Sequence, residues 1–470
     1  MDRELLTTQE AIDEIWQVAK RLGLDPFPIH FEIVPAHMMY EFGAYGLPGR
    51  FSHWTHGKAY HQMKTMYDYG LSKIYELVIN TNPCHAFLLD GNSLLQNKVV
   101  IAHVIAHCDF FKNNVYFQRT NRKMMESVSA SAERIRKYEY IHGTIEVERF
   151  LDAVLAIQEH IDPNVFLQKR KAEPRNKDRK PPHRRETPYD DLFYIGEDAQ
   201  HGEQVAEVKK FPEEPQRDLL LFITENAKGL EDWQRDIIDI VRAESLYFLP
   251  QMHTKIMNEG WASYWHSRIM RELDLSEDES IEFARMHAGI LTPSRRNVNP
   301  YYVGLKVFED IEKRWDEPTE EEKQKFGRQG GEGRQKIFDV RNMEDDVSFL
   351  RNYLTKQLIE DLDLYIYRLE DREWRVVDKD WERVRDVLIN SAVTMGHPYI
   401  VVEDADYRGN RELFLKHVFE GQELDIGYAD KTLRQLYVLW GRTVHLETVM
   451  DGKRVLLSYD GVKNERAWAF

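Results

Sequence analysis

Cysteine is scarce in this chain of 470 residues, which contains only Cys84 and Cys108. A secreted protein of this length usually has more, because disulfides stabilise chains in oxidising compartments. The chain also has no apolar run approaching the roughly 18 residues of a membrane-spanning helix. Residues 1–24 are charged and lack the apolar centre of a signal peptide. We therefore expect a cytoplasmic protein without a membrane span.

Basic residues are also in deficit. The chain has 64 Lys and Arg against 80 Asp and Glu, which gives a formal net charge of −16. Because binding to a polyanion needs a basic surface, this balance argues against a nucleic-acid partner. Hydrophobic residues make up 42% of the chain, which is enough for a large core and for two or three domains.

The order of helix and strand signals predicts an α+β protein. We expect a mainly helical domain over residues 1–316, with a small sheet whose strands include Glu76–Pro83 and Ala86–Leu89. A polar, glycine-rich stretch at 317–335 predicts a linker. Residues 336–470 then predict a small C-terminal α+β domain.

The C-terminal domain shows the pattern helix–strand–strand twice. Its first helix is predicted over Trp381–Thr394, and its second helix contains Leu433–Trp440. Asp451-Gly452 is typical of a tight turn between the last two strands. We expect these strands to form an antiparallel sheet.

One segment is too polar to belong to a core. Residues 168–187 contain nine Lys or Arg, three acidic residues and almost no apolar side chain. Such a composition cannot bury itself, so we expect a mobile basic insertion. The alternative is a docking segment for an acidic partner.

The strongest chemical signal lies in Val99–Asn114. His103 and His107 are four residues apart, so both imidazoles project from one face of a helix. This is the spacing with which two histidines hold one metal ion. The helix around them is apolar, and an unpaired histidine would lose its hydration there. The alternative is a pair of core histidines, each satisfied by a hydrogen bond.

A second segment, Met257–His266, offers an acid. Glu259 and His266 are seven residues apart and therefore lie on one helix face. Two histidines and one carboxylate form the ligand set of many catalytic zinc sites and leave a coordination position open. In the alternative, Glu259 caps its helix and Trp261 fills the core. Nitrogen and oxygen ligands also suit iron and manganese, so we expect a divalent metal, with zinc first.

Further polar residues could orient the ligands or contact a substrate, as His266 could. Arg242 and Glu244 lie upstream of the second segment and either support the site or form an ordinary helical ion-pair network. Arg295, Arg296 and Asn299 belong to a polar loop. The two arginines could clamp a carboxylate or a phosphate, or tie the loop to the acidic body of the protein.

The N-terminal domain also has a histidine-rich and aromatic run. Residues Phe27–Arg50 predict irregular structure with short helical pieces, and His53, His56 and His61 follow among aromatic residues. This run either binds an anionic or peptide-like ligand or seals the core as a rigid loop.

The order of these elements resembles that of the gluzincin metalloproteases, in which an edge strand, a two-histidine helix and a later acidic helix build the site. Glu259–Tyr264 is similar to a Glu-Gly-Trp-Ala-Leu-Tyr stretch of some of these proteins. The resemblance implies a zincin-like sheet, with His103, His107 and Glu259 as metal ligands.

One residue departs from the gluzincin pattern. Those enzymes carry His-Glu-x-x-His, whose Glu is the general base, and the equivalent position here is Val104, which cannot accept a proton. Either another acid replaces it, for which Asp109, Glu146 and Glu148 are candidates, or the site no longer hydrolyses peptides.

Several longer runs together resemble the SpoVR family (stage V sporulation protein R). They are Arg50–Trp54, Glu76–Asn92, His103–Asn114, Pro250–His266 and Leu291–Gly304. The resemblance implies a cytoplasmic protein, in the mother cell of a spore former, that takes part in forming the spore-cortex peptidoglycan. It also implies two partners, a serine protein kinase of the PrkA type and a protein with a von Willebrand-like domain.

Two functions follow from these patterns. The ligand spacing favours a metal-dependent hydrolase that acts on a peptide or amide, such as a peptidoglycan precursor. The loss of the general base at Val104 favours a non-catalytic regulator or scaffold on a retired metalloprotease fold, working with the kinase.

Overall fold

The computed structural model describes residues 2–69, 76–164, 210–293, 298–370 and 373–468. The basic insertion predicted at 168–187 lies outside these ranges, and so do Arg295 and Arg296.

Contacts divide the chain into two compact units. The first comprises residues 1–148 and 243–397, and the second comprises residues 149–242 and 398–470. Each unit is therefore built from two separate stretches of the chain.

This division differs from the boundary expected at 317–335. That segment falls within the first unit and contains a short helix, Glu320–Phe326. Residues 336–397 also belong to the first unit, because apolar side chains such as Ile337 and Phe349 are buried in its main core. A polar, glycine-rich composition marks a surface segment, but it does not show where packing is interrupted.

Helices account for most of the described chain. In chain order they are α1 (Asp2–Arg21), α2 (Ala36–Tyr45), α3 (Trp54–Asp68), α4 (Leu94–Asn113), α5 (Met124–His142), α6 (Thr144–Leu155), α7 (Leu219–Asn226), α8 (Asp232–His253), α9 (Lys255–Glu272), α10 (Glu277–Ile290), α11 (Pro300–Asp316), α12 (Glu320–Phe326), α13 (Gly333–Met343), α14 (Asp346–Tyr353), α15 (Lys356–Asp361), α16 (Trp381–Thr394) and α17 (Ile426–Trp440). None of them, within the described ranges, combines the length and apolar character that crossing a membrane requires.

The strands form three small sheets. They are β1 (Ile29–Val34), β2 (Glu76–Ile79), β3 (Cys84–Leu89), β4 (Ile366–Glu370), β5 (Glu373–Asp378), β6 (Ile400–Tyr407), β7 (Glu412–His417), β8 (Val444–Met450), β9 (Lys453–Tyr459) and β10 (Asn464–Trp468). A mainly helical part with a small sheet and a sheet-rich C-terminal part confirm the predicted α+β class.

The first unit contains the two-stranded sheet β4–β5 and a three-stranded sheet of order β1–β3–β2. β1 runs parallel to β3, and β2 runs antiparallel to it. β2 and β3 confirm the two predicted strands, whereas β1 lies in a segment expected to be irregular. Ile29, Phe31 and Ile33 alternate with His30 and Glu32, which is the pattern of a half-buried strand. Its proline-rich surroundings obscured that alternation.

Helix α4 lies in the centre of the first unit. Ser93 and Gln96 form a capping box at its start, which satisfies backbone donors that have no partner within the helix. Nearly every residue from Val99 to Phe111 is buried, so the helix is apolar all round and needs neighbours on every side. α1 and α9 pack against it. The predicted helix is confirmed.

Helices α9 and α11 approach each other closely at two glycines. A Cβ atom added at Gly260 would overlap the backbone of Gly304, and one added at Gly304 would overlap the carbonyl oxygen of Ile256. Small residues allow helix backbones to come this near. The contact brings the second turn of α11 against the first two turns of α9.

The second unit contains a five-stranded sheet of order β10–β9–β8–β7–β6. The predicted antiparallel arrangement is wrong at one pair, because β7 and β8 are parallel. Helix α17 connects them as a crossover, and a crossover returns the chain in the same direction. The predicted turn is present, since Asp451 and Gly452 have φ angles of 50° and 71°, as a tight hairpin turn requires.

The contact at the glycines generates a stability prediction. We expect Gly260→Ala to lower the free energy of unfolding by at least about 1–3 kcal/mol, because the added methyl group overpacks a contact between backbones. Gly289→Ala on α10 is the matched control, since a Cβ there meets no atom within 4 Å. It should leave stability unchanged or raise it by roughly 0.5–1 kcal/mol. Urea denaturation of both variants tests this, and equal stability of the two would contradict it.

Candidate metal centre

His103 and His107 project from one face of α4 toward the same point. Their ring centroids lie 4.6 Å apart with the planes at 84°, and each residue is about 4% exposed. The helical spacing therefore does place the two imidazoles side by side, as the sequence predicts.

Two carboxylates face these rings, one from β2 and one from α9. The Oε1 atom of Glu76 lies 3.3 Å from Nε2 of His103 and 3.9 Å from Nε2 of His107. The Oε2 atom of Glu259 lies 3.6 Å and 3.5 Å from the same two nitrogens. Glu259 thus reaches both histidines as predicted, whereas the sequence analysis missed Glu76 as a site residue.

These separations fit a bound metal better than hydrogen bonds. A hydrogen bond between nitrogen and oxygen spans about 2.7–3.2 Å, whereas ligand atoms about 2.0–2.2 Å from a tetrahedral ion lie roughly 3.3–3.6 Å apart. The ligand atoms of Glu76, His103 and His107 all lie within 4.8 Å of one another. This cluster could hold a metal ion, and Glu259 stands within reach as a further ligand.

The outer ring nitrogens are held by neighbouring side chains. Nδ1 of His107 lies 2.9 Å from Oδ1 of Asn258, and Nδ1 of His103 lies 2.8 Å from Nδ1 of His266. Because the amide oxygen accepts, His107 donates from Nδ1 and keeps its Nε2 lone pair for the centre. Partners of this kind orient histidines that bind metals. His266 therefore contacts one of the candidate ligands.

Two atoms at the centre are buried without a hydrogen bond. They are Nε2 of His103 and Oε2 of Glu259, which face each other at 3.6 Å. A buried polar atom left without a partner costs about 1–3 kcal/mol. A cation between them would satisfy both atoms, which weighs against a pair of core histidines satisfied by hydrogen bonds alone.

The carboxylates and histidines shift each other's pKa values. Burial raises the pKa of Glu76 to about 7, although His103 opposes the shift. Burial lowers the pKa of His107 to about 4. Burial also acts to lower the pKa of His103, but Glu76 and Glu259 beside it raise that pKa above its ordinary value. The raised pKa values of Glu76 and His103 mean that the cluster tends to take up protons, and a cation bound between the carboxylates would offset their charge in the same way.

The residue at the position of the HExxH glutamate is apolar, and its surroundings in the structure are apolar too. Val104 is fully buried in the main core. Of the substitute acids, Asp109 is buried in an ion pair with Arg341 and accepts a hydrogen bond from Trp261 at 2.9 Å. Its carboxylate thus connects α4 with α9 and α13 and is not part of the candidate metal centre.

The two remaining acid candidates lie on α6. Glu146 is exposed, and Glu148 lies beside Glu139. Neither belongs to the cluster of ligand atoms found in the described residues. The carboxylate that the structure brings to the histidines in addition to Glu259 is Glu76.

The other predicted residues have structural roles. Arg242 pairs with Asp218 at 2.7 Å in the second unit, and Glu244 pairs with Arg50 at 2.7 Å in the first. Both therefore follow the ion-pair alternative.

Asn299 acts on the centre indirectly. Its side chain accepts a hydrogen bond from the backbone of Tyr301 at 3.0 Å and so caps α11. Tyr301 stacks against His103 with ring centroids 6.0 Å apart. Burial raises the pKa of Tyr301, and the nearby Glu259 carboxylate adds to the effect. Asn299 thus fixes the turn that places Tyr301 at the centre.

Glu259 does not cap its helix. α9 begins at Lys255 with Thr254 as its N-cap residue, so Glu259 lies in the second turn. Trp261 fills the core as the alternative supposed, with no exposed surface. Glu259 can therefore face the histidines while Trp261 packs in the core, because the two side chains leave the helix on different faces.

Family comparisons cover almost the whole chain. The family model described as "SpoVR like protein" matches residues 2–397, and the "SpoVR-like C-terminal domain" matches residues 398–451. This chain belongs to the SpoVR family. The boundary between the two family models, at residue 398, coincides with the start of the second chain stretch of the second unit. Membership of the SpoVR family supports a sporulation-associated function.

A curated relative shares most of this SpoVR chain. The uncharacterized protein YcgB of Escherichia coli (strain K12) is 30% identical over 466 residues, which cover 92% of this chain and 90% of that protein. No solved structure matches the chain. The gluzincin resemblance stays a prediction.

Sequence reasoning missed three residues of this centre, Glu76, Asn258 and Tyr301. Glu76 opens a strand and has no periodic relation to the histidine helix. Asn258 directly precedes Glu259, so its position beside a predicted ligand was an available signal. Tyr301 belongs to the segment 294–304 that was predicted as a polar loop, whereas the structure places it in the first turn of α11, and only the packing of that helix shows where it lies.

The histidine-rich run of this SpoVR chain seals the core. His56 is buried, with ring centroids 4.8 Å from Tyr45 and 5.7 Å from Phe51. Burial lowers its pKa to about 4, with Arg50 and His53 adding to the effect. These contacts favour the rigid-loop alternative over a ligand site.

Asn258 generates a prediction on affinity. We expect Asn258→Ala to bind Zn²⁺ roughly 10–100-fold more weakly than the wild type, because the His107 ring loses the partner that orients it. Competition with a chelating dye measures this. Asn352→Ala, an exposed asparagine on α14, is the control. Equal affinity of both variants would show that Asn258 does not support the site.

His56 generates a prediction on acid stability. Its folded pKa of about 4 lies below the unfolded value of about 6.5, so the stabilisation is present above pH 6.5 and is lost as the pH falls toward 4. On lowering the pH, the free energy of unfolding of His56→Phe should therefore decrease by roughly 1–3 kcal/mol less than that of the wild type. The measurement is urea denaturation from pH 4.5 to 8, with exposed His61→Phe as control. A wild-type slope in His56→Phe would refute the assignment.

Proposed function

We propose that this protein is a metal-dependent hydrolase of gluzincin type that acts on a peptide or amide substrate during spore-cortex formation. One observation carries the proposal. Two histidine nitrogens and two carboxylate oxygens converge at 3.3–3.9 Å in a buried centre. Convergence of this kind is typical of a metal site, and it has no other evident structural purpose.

His103, His107 and Glu259 are the proposed protein ligands. A bound divalent ion, zinc first, would supply Lewis-acid activation of water and of a substrate carbonyl. Asn258 and His266 hold the histidine rings in the orientation that directs Nε2 inward. Tyr301 stacks against the His103 ring and lies near the Glu259 carboxylate, so it would help to restrain both groups.

Glu76 is the proposed replacement for the missing general base. It comes from β2 rather than from the histidine helix, and its side chain is 24% exposed, so water and substrate can approach it. The carboxylate stands 3.3 Å from Nε2 of His103, so a base there would lie beside a water held at the centre. Val104 would then mark a relocation of the base and not its loss.

The metal is tested first, by elemental mass spectrometry on untagged protein purified without chelator. We expect about one divalent ion per wild-type chain and none in the His103→Ala, His107→Ala double variant. The matched control is His37→Ala, His61→Ala, which removes two exposed histidines and should retain the ion. Wild-type protein without metal would refute the proposal.

Glu76→Gln tests the base separately from the ligands. The expected variant keeps its metal and its fold but loses hydrolysis of a peptide or muropeptide mixture, followed by mass spectrometry of the products. If the variant loses its metal instead, Glu76 is a ligand, and the base assignment is wrong.

A non-catalytic regulator is the second candidate, and the complete burial of Val104 favours it. In that case the wild type would bind metal without turning over any substrate. Its proposed partners would be the PrkA-type serine protein kinase and the von Willebrand-like domain protein. A peptide or peptidoglycan precursor would bind at the former substrate site without being cleaved.

A further inference from the structure

The second unit contains a pocket that has no part in the metal centre. Its cavity volume is about 570 Å³, within the range of about 300–1,000 Å³ that small-molecule sites occupy. The walls come from the loop after α7, the β6–β7 hairpin and the C-terminal end of α17. The residues that matter are Phe211, Lys228, Asp406, Arg411, Trp440 and Arg442.

The pocket is basic in an acidic protein. Lys228, Arg411 and Arg442 line it, and all three are exposed. Among the described residues no carboxylate forms an ion pair with any of them, although such pairs are frequent elsewhere in the chain. In a chain with a net charge of −16, three cations gathered without partners favour an anionic ligand.

Asp406 is the one acidic residue in the lining, and it is committed to the hairpin. Its Oδ1 atom accepts a hydrogen bond from the backbone of Arg411 at 2.9 Å. This bond closes the β6–β7 loop. The carboxylate therefore pairs with the backbone of Arg411, and the guanidinium group of Arg411 stays available to a ligand.

The hairpin holds Arg411 in an unusual conformation. Its φ angle is 58°, in the left-handed region that favours glycine, and a longer side chain there costs about 1 kcal/mol. Arg408 in the same turn has a φ angle of 60°, so the hairpin turn itself accounts for this conformation.

One wall of the pocket is flat and rigid. The Trp440 indole nitrogen donates to the carbonyl oxygen of Arg411 at 2.8 Å, and its ring stacks on Phe222 at 6.1 Å and 22°. The indole is thus held from its edge and from one face, and Trp440 is only 8% exposed, so it supports this wall while Phe211 supplies most of the accessible ring surface. Phe211, 48% exposed, adds an aromatic surface at the rim. Flat rings and planar heterocycles pack well on such walls.

We propose that this pocket binds a phosphorylated ligand with a planar ring, of the nucleotide class. Lys228, Arg411 and Arg442 would hold the phosphate groups, since arginine binds phosphate through two parallel hydrogen bonds. Trp440 and Phe211 would contact the ring. This binding function is separate from the proposed hydrolysis and does not depend on it.

Isothermal titration of the full chain with ADP tests the proposal. ADP should bind at micromolar to submillimolar concentration, and adenosine, which has the ring but no phosphate, should bind at least tenfold more weakly. Pyrophosphate, which has the charge without the ring, should also bind at least tenfold more weakly than ADP. Absence of ADP binding, or pyrophosphate binding as tight as ADP, would overturn the nucleotide assignment.

Variants locate the site. Lys228→Ala, Arg442→Ala should weaken ADP binding at least tenfold, and so should Arg411→Gly, which removes the guanidinium but suits the left-handed backbone. The matched control is Lys453→Ala, Arg454→Ala, two exposed cations on β9, which should bind ADP like the wild type. The His103→Ala, His107→Ala protein should also bind normally. Equal weakening in the β9 control would mean general charge attraction and would refute the pocket.

Discussion

The fit of α9 between α4 and α11 is the constraint on which the first unit depends. α4 is apolar on every side, so it must be enclosed, and α9 supplies one of its walls. Gly260 lets α11 approach α9 until the backbones touch. As a result Glu259, one residue before that contact, meets the histidines of α4 on one side and Tyr301 of α11 on the other. The core packing and the centre are therefore one arrangement.

Buried charge is treated in two ways within the same helix. Asp109 is neutralised by Arg341 within the protein, so this pair is complete and structural. Glu76 and Glu259 instead face His107, which burial keeps neutral, and His103, whose pKa the two carboxylates raise. Burying two carboxylates without full compensation is costly. α4 thus contributes to one complete ion pair, Asp109 with Arg341, and to a second cluster whose buried carboxylates are only partly compensated. A ligand would bind at that second cluster.

Local patterns were sufficient for several elements, though not for β1, and for half of the centre. The i, i+4 spacing of His103 and His107 and the turn at Asp451-Gly452 each depend on neighbours in sequence, where backbone geometry is fixed by residue type. The family resemblance rested on such local runs as well. For the same reason the α+β class followed from the order of the signals.

Only tertiary structure decided the rest, because the decisive partners are distant in sequence. Asn258 is 151 residues from His107, and Arg341 is 232 residues from Asp109. No periodicity relates Glu76 to a helix, so its approach depends on how β2 pairs with β3. The parallel pairing of β7 with β8 and the division of each unit into two chain stretches likewise depend on packing. Sequence determined which side chains carry chemistry, and packing selected those that meet.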